Sequence, residues 1–374
     1  MEARQGRSIE VDFFRGIVLI VIVLDHIPGS ALSHVMLHAY ALCDSAEVFV
    51  FLGGYASAAA YMAVHAHRGA SAAKGRFLRR SWEIYRAYLL TALLTLLSGA
   101  LLAMLHMNPL AADLSGWGPF ALHPLRESLN ILVLARQPYL SSVLPMYVIF
   151  ALCVPAAVPF ARRAPLFTLA ASLLIWVIAP QLAALFSAGH VADWSFNPFA
   201  WQLMFVFGML CRLHPVPADF KASEAARWLV RIAFAAVAAF AAVKLLVLTQ
   251  PLPGAMKQHL AFSRVVNFIV IAMVAAYFVH RGTIARLAAR LPSVVTVGRT
   301  GLVCFVGGTL ISLAVDTATP HALHGAAAFG AALAGDAVAI GATLMLAHAW
   351  RGMAGRQKAR VASHAESKRR AGCG

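Results

Sequence analysis

The chain is short of charge, and shortest of acid: Asp and Glu number 15 against 31 Lys and Arg, and the four types together make up only 12% of 374 residues. Soluble domains carry about twice that share, so a water-facing surface of ordinary composition is excluded. Paired cysteine spacings are also missing. Cys43, Cys153, Cys211, Cys304 and Cys373 show no CxxC and no matched loop positions, and four of them lie in or beside apolar runs, so no disulfide framework and no metal site is indicated. There is no GxSxG elbow, HExxH, Walker loop or GxGxxG in a strand-turn-helix setting, which leaves a serine hydrolase, an ATPase and a nicotinamide enzyme unsupported. No internal repeat is evident.

What is present is apolar: 61% of residues are hydrophobic and the mean hydropathy is +0.75. In lipid every backbone polar group must be paired internally, and long unbroken apolar runs, in place of ten-residue alternating segments, favour helices over a barrel. The expected fold is all-α, a polytopic membrane protein. Runs near the ~20 residues needed to span lie at 10–29, 44–66, 84–106, 142–160, 165–187, 197–213, 229–249, 262–280, 299–317 and 324–349, the sixth being the shortest. They predict about ten transmembrane helices in a single membrane domain over 1–350. The basic, Ala-rich tail 351–374 lacks apolar periodicity and reads as solvated and disordered. The long link 107–141, rich in Pro, Gly and polar residues, is expected to carry a small helix. A basic start precedes the first run but no small-residue cleavage site follows it, so that run is expected to stay as a helix.

Charge supports the segmentation. With the N-terminus inside, every Lys and Arg except Arg15, Arg126, Arg136, Lys244, Lys257 and Arg264 falls on the inner side, and the alternation holds at every loop pair. The positive-inside rule then sets both termini in the cytoplasm, and the net charge of +16 is assigned to topology and not to nucleic acid. Outer loops carrying His34, His38, His321 and His324 would face the periplasm of a bacterial cell, with the chain multi-pass in the inner membrane among its lipids.

Ionisable groups inside a span are costly and persist where they pair or line a polar cavity. The first run carries Asp12, Arg15, Asp25 and His26. At ~100° per residue, Arg15 and His26 project from one face about 16 Å apart along the axis. Asp12, one turn before Arg15, can pair with it, while Asp25 points about 100° away toward a different helix. His26 reads either as a general base for a hydroxyl or as a structural histidine bonded to a neighbouring helix. Asp44 and Glu47 share a face of the second run near the same outer level, and either could orient the imidazole; the bland alternative is a helix cap and a snorkelling carboxylate. Lys74, Arg76, Arg79, Arg80 and Arg86, in an inner loop, read as a topological anchor or as a site for a phosphorylated cytosolic donor. Asp316, with His321 and His324, reads as a cap or a solvated acid, Asp336 as a buried polar contact, and Gly53-Gly54-Tyr55 as close helix packing. Trp117, Trp194 and Trp201 fit an aromatic belt.

Val11-Asp12-Phe13-Phe14-Arg15-Gly16, Asp25-His26-Ile27-Pro28-Gly29 and Asp44-Ser45-Ala46-Glu47-Val48-Phe49-Val50-Phe51-Leu52-Gly53-Gly54-Tyr55 resemble the OpgC family, named for osmoregulated periplasmic glucans and similar to the wider membrane-bound acyltransferase family 3. The resemblance implies transfer of an acyl group, succinyl in the named case, from a cytosolic acyl-CoA to a hydroxyl of a periplasmic glucan. In the wider family an Arg and a His with ten residues between them, and an Arg-x-x-Arg on the cytoplasmic side, are signatures; Arg15 with His26, and Arg76 with Arg79, match them. The glycine motif usually reads Ser-Gly, and Gly53 here removes that hydroxyl. The implied catalytic set is His26 as base with Glu47, Asp44 and Asp25. The implied donor set is Arg76, Arg79 and Arg80 on the coenzyme A phosphates, with the pantetheine arm extending near Arg15. No tightly bound cofactor is implied. The rival class is a proton- or solute-coupled transporter, against which stands the lack of repeated halves. A membrane scaffold would leave the buried ionic stripe without a reason.

Overall fold

Each of the ten apolar runs falls on helical structure, and local chemistry sets where the helices begin and end. The computed structural model describes residues 8–185, 194–248, 252–319 and 324–371, and no strand occurs among them. Helix α1 (Ile9–Asp25) starts at Ser8, whose hydroxyl accepts from Val11 N–H at 3.3 Å, and ends ahead of Pro28 and the left-handed Gly29 (φ 80°). A single turn, α2 (Leu37–Tyr40), leads into α3 (Ser45–Leu105), a 61-residue stretch that holds the second and third runs. It is broken at Gly69, where φ 77° and ψ 176° describe a conformation essentially open to glycine alone, so the stretch is two arms. The expected inner loop between them shrinks to that one residue, because Ala70 to Arg86 is dominated by good helix formers.

The link after α3 forms α4 (Pro109–Leu114), α5 (Trp117–Leu122) and α6 (Pro124–Leu132). It is fastened along the second arm of α3 by Tyr85 Oη donating to Leu132 O at 2.8 Å and Tyr88 Oη donating to Arg136 O at 2.6 Å. There follow α7 (Val143–Arg163), α8 (Pro165–Val177), α9 (Ala179–Leu185), α10 (Pro198–Leu213), α11 (Ala218–Ala222), α12 (Glu224–Leu246), α13 (Gly254–Gln258) and α14 (Phe262–His280). The chain closes with α15 (Thr283–Arg290), α16 (Pro292–Arg299), α17 (Gly301–Ala318) and α18 (Gly325–Ala371). α18 continues through the segment that reads as a solvated tail; its Ala, Gln, Lys and Arg residues favour helix even without an apolar stripe.

Six helices among the described residues are long and apolar enough to cross a membrane (α3, α7, α12, α14, α17 and α18), and α8 with α9, bent by 64°, would form a seventh. Their outward faces suit lipid: in α12 only Ala233 is buried, while Trp228, Ile232, Leu245 and Leu246 are exposed. An apolar surface on that scale is costly in water and neutral in hydrocarbon. The chain is thus a multi-pass, all-helical membrane protein.

The helices cluster into two units. In the first, residues 31–284, α3 packs against α10 and α7. A Cβ on Gly54 would collide with the Phe205 carbonyl and one on Gly208 with the Phe51 carbonyl, so each backbone is seated against the other. In the second, residues 8–30 and 285–374, α1 packs against α16, α17 and α18. The crossing of α1 with α16 rests on the same device, Gly16 against the Val294 carbonyl and Gly298 against the Asp12 carbonyl.

Candidate functional site

In the second unit the chemistry gathers on α1. Asp12 is buried and takes Arg299 Nε of α16 at 3.1 Å, which ties down the beginning of the helix. Arg15, half-buried, lies one turn further along, and His26 caps the opposite end. The His26 backbone N–H reaches Leu24 O as the helix ends. The imidazole folds back on the last turn: His26 Nδ1 lies 2.6 Å from Ile22 O. A carbonyl oxygen only accepts, so Nδ1 carries the hydrogen and, in the neutral ring, Nε2 is the basic nitrogen. A hydroxyl group donated to Nε2 would become a nucleophile.

In the first unit a second polar centre closes around the start of α3. Asp44 is the N-cap: its Oδ1 accepts from Ala46 N–H at 2.8 Å, while Glu47 Oε2 accepts from the Asp44 N–H at 2.9 Å. Arg264 of α14 forks across both acids, Nε donating to Glu47 Oε1 at 2.6 Å and Nη2 to Asp44 Oδ2 at 3.1 Å. Lys257 Nζ reaches the same Asp44 oxygen at 2.8 Å. Burial of Asp44 opposes its ionisation, but Lys257 and Arg264 outweigh it and hold the carboxyl below the ordinary carboxylate range. One turn beyond Arg264, Asn267 Oδ1 accepts from the N–H groups of Leu42 and Cys43, at 2.8 and 3.2 Å. Burial pushes the neighbouring Cys43 thiol up, well away from the thiolate a nucleophile needs.

The structure therefore brings Asp44 and Glu47 together, and places Arg15, Asp25 and His26 along α1. Arg76, Arg79 and Arg80 are exposed on the second arm of α3; Arg76 and Arg79 are one turn apart on one face, and Arg80 pairs with Glu83 at 3.1 Å. Gly53 is tight: a Cβ there would sit 2.7 Å from the Tyr147 hydroxyl, which donates to Phe49 O, so a serine at this position would have to displace the tyrosine. Asp336 is buried as expected, but Asp316 is not solvated; it is 5% exposed on the inward face of α17. His321 lies outside the described residues, and His324 is exposed. Sequence reasoning counted Arg264 and Lys257 only as outer charges and passed over Asn267. An Arg and an Asn three residues apart inside the run 262–280 were the available signal.

No curated protein and no solved structure matches the chain. A family model described as OpgC protein matches residues 7–354, nearly its whole length. The chain belongs to the OpgC family, which assigns it a part in the modification of osmoregulated periplasmic glucans as a glucan-directed transferase.

Proposed function

We propose that the chain is an O-acyltransferase of the bacterial inner membrane, moving an acyl group, succinyl as in the family's named case, from cytosolic acyl-CoA to hydroxyls of a periplasmic glucan. The observation that carries this reading is the contact of His26 Nδ1 with Ile22 O, which selects the neutral tautomer whose basic nitrogen is Nε2. Nε2 removes the proton of a glucan hydroxyl as its oxygen attacks the thioester carbonyl carbon. The tetrahedral intermediate collapses with cleavage of the C–S bond, and the imidazolium returns the proton to the departing thiolate. Ester and free coenzyme A are the products, and no redox partner or metal is consumed.

Arg76 and Arg79, exposed and one turn apart, have the fork geometry that suits the donor's phosphates. Ten crossings with both termini cytoplasmic would set these arginines on the donor's side of the membrane and His26 toward the acceptor's. The test is mass spectrometry of periplasmic glucans from cells with the chain, without it, and with His26→Ala or His26→Gln at equal protein level. Loss of the succinyl mass increment in the deletion and in both variants is expected. Full substitution in His26→Ala would refute the base; unchanged glucans in the deletion would move the acceptor to another glycan.

A further inference from the structure

The proposed base needs a group that stabilises the imidazolium, and the second unit has one. α17 runs alongside α1 in the same direction. A Cβ added at Gly301 would lie 3.5 Å from Leu19 Cδ1 and one at Gly308 2.7 Å from Val23 Cγ2, and Ser312 Oγ donates to Val23 O at 2.8 Å. Advancing along one helix is thus advancing along the other. Asp316 stands four residues after Ser312, hence on the same face and about 6 Å further on. His26 stands three residues after Val23, about 4.5 Å further on. The two side chains arrive at one level of the bundle, with Asp316 on the side of α17 that faces α1 and shielded from solvent.

We propose that Asp316 is the positioning residue for His26: its carboxylate stabilises the positive ring formed when Nε2 takes the glucan proton. The proposal rests on the reading of His26 as base. Asp44 and Glu47, the other acids considered for this role, spend their oxygens on Arg264, Lys257 and the first turn of α3. Other charged groups border the same level. Asp25 precedes His26 on α1. On α18, a Cβ added at Gly335 would lie 3.1 Å from Val315 Cγ1 and 3.2 Å from Thr319 Oγ1, which puts the buried Asp336 level with Asp316. α16 meets α1 at the opposite end, around Asp12 and Gly16, and contributes Arg299 only there.

The test is the pH profile of transfer by the full-length protein in detergent, with succinyl-CoA and purified unsubstituted glucan, read as glucan mass. Removing a nearby negative charge disfavours the protonated ring. Asp316→Asn is therefore expected to move the acid limb of kcat to lower pH by about one unit or more, and to lower the plateau by about tenfold or more with little change in KM. Asp316→Glu should return the limb to its wild-type position. A role confined to helix packing would lower the plateau and leave the limb in place, which would overturn the proposal. Should Asp316→Asn fail to assemble, Asp316→Ser carries the same comparison. His26→Ala retaining activity would sink the base itself. His26→Ala inactive, with Asp316→Asn unshifted, would sink only the role of Asp316. Asp336→Asn run in parallel attributes the shift: a limb moved by Asp336→Asn and not by Asp316→Asn assigns the effect to α18 and overturns the proposal.

Discussion

Replacing Arg264 with alanine removes the cation that serves two acids at once, and the structure sets how much that should cost. Glu47 is wholly buried and Arg264 is 4% exposed, so the carboxylate left behind keeps only the Asp44 N–H on its other oxygen. Breaking a buried pair by removing one partner costs about 3–5 kcal/mol, because the orphaned charge stays desolvated. Lys257 serves Asp44 from a side chain that is 41% exposed. Such a pair contributes about 1 kcal/mol or less. Unfolding of the purified protein in mixed micelles, titrated with SDS and followed by tryptophan fluorescence, should thus rank Arg264→Ala far below Lys257→Ala. The pair Arg264→Met with Glu47→Met should recover most of the loss, since two apolar groups leave no buried charge. Equal costs for the two single variants, or an Arg264→Ala within about 1 kcal/mol of wild type, would show that the fork does not stabilise the first unit.

Other outcomes follow from the same structure. Because Asp44 is held below its ordinary range, its contribution is present above about pH 4 and fades as pH falls below it; acid titration of stability should show this loss, and Asp44→Asn should flatten it. Gly54→Val should block assembly, since its side chain meets the Phe205 carbonyl, whereas Gly330→Ala, with nothing within 4 Å, should be neutral or gain up to about 1 kcal/mol; yield of folded protein by size-exclusion chromatography separates them. Arg76→Ala with Arg79→Ala should raise KM for acyl-CoA about tenfold or more while kcat changes little, read by steady-state kinetics. The loss should not be restored by lysines, if the fork geometry is what binds phosphate.

The helices were legible because lipid leaves backbone groups no other partner, so every apolar run had to become one. Close packing at Gly54 was legible for a similar reason: two small residues inside a run have little use except to admit another backbone. Which residues of α1 could share a face was a matter of helical periodicity alone. What sequence could not supply was register between distant helices. Arg264 meets Glu47 across 217 positions, and nothing local marks the match. Asp316 read as solvated because it ends a run beside histidines; the bond from Ser312 to Val23 O turns that face of α17 inward and buries it. The break at Gly69 was hidden by neighbours that favour helix, so an expected loop became one residue.

His26, Asp44 and Glu47 look alike in sequence, polar residues at the edges of apolar runs, and their hydrogen-bond accounts separate them. A helix end leaves backbone groups without partners, so any polar side chain there can be recruited as a cap. Asp44 and Glu47 are recruited in this way, each giving one oxygen to the first turn of α3 and the other to a cation from elsewhere in the first unit. Asp44, held below its ordinary range by two cations, is a poor proton carrier, because protonating it would unmake the cap and the ion pairs together. His26 is recruited too, by Ile22 O, but through the nitrogen that must bear a hydrogen in either case. Capping therefore selects the tautomer in which Nε2 is the basic nitrogen, so one bond serves both the helix end and the chemistry assigned to the ring. Of the three, His26 is the residue whose structural duty and chemical use are compatible, so substitutions at Asp44 or Glu47 should be read first in stability and those at His26 first in transfer.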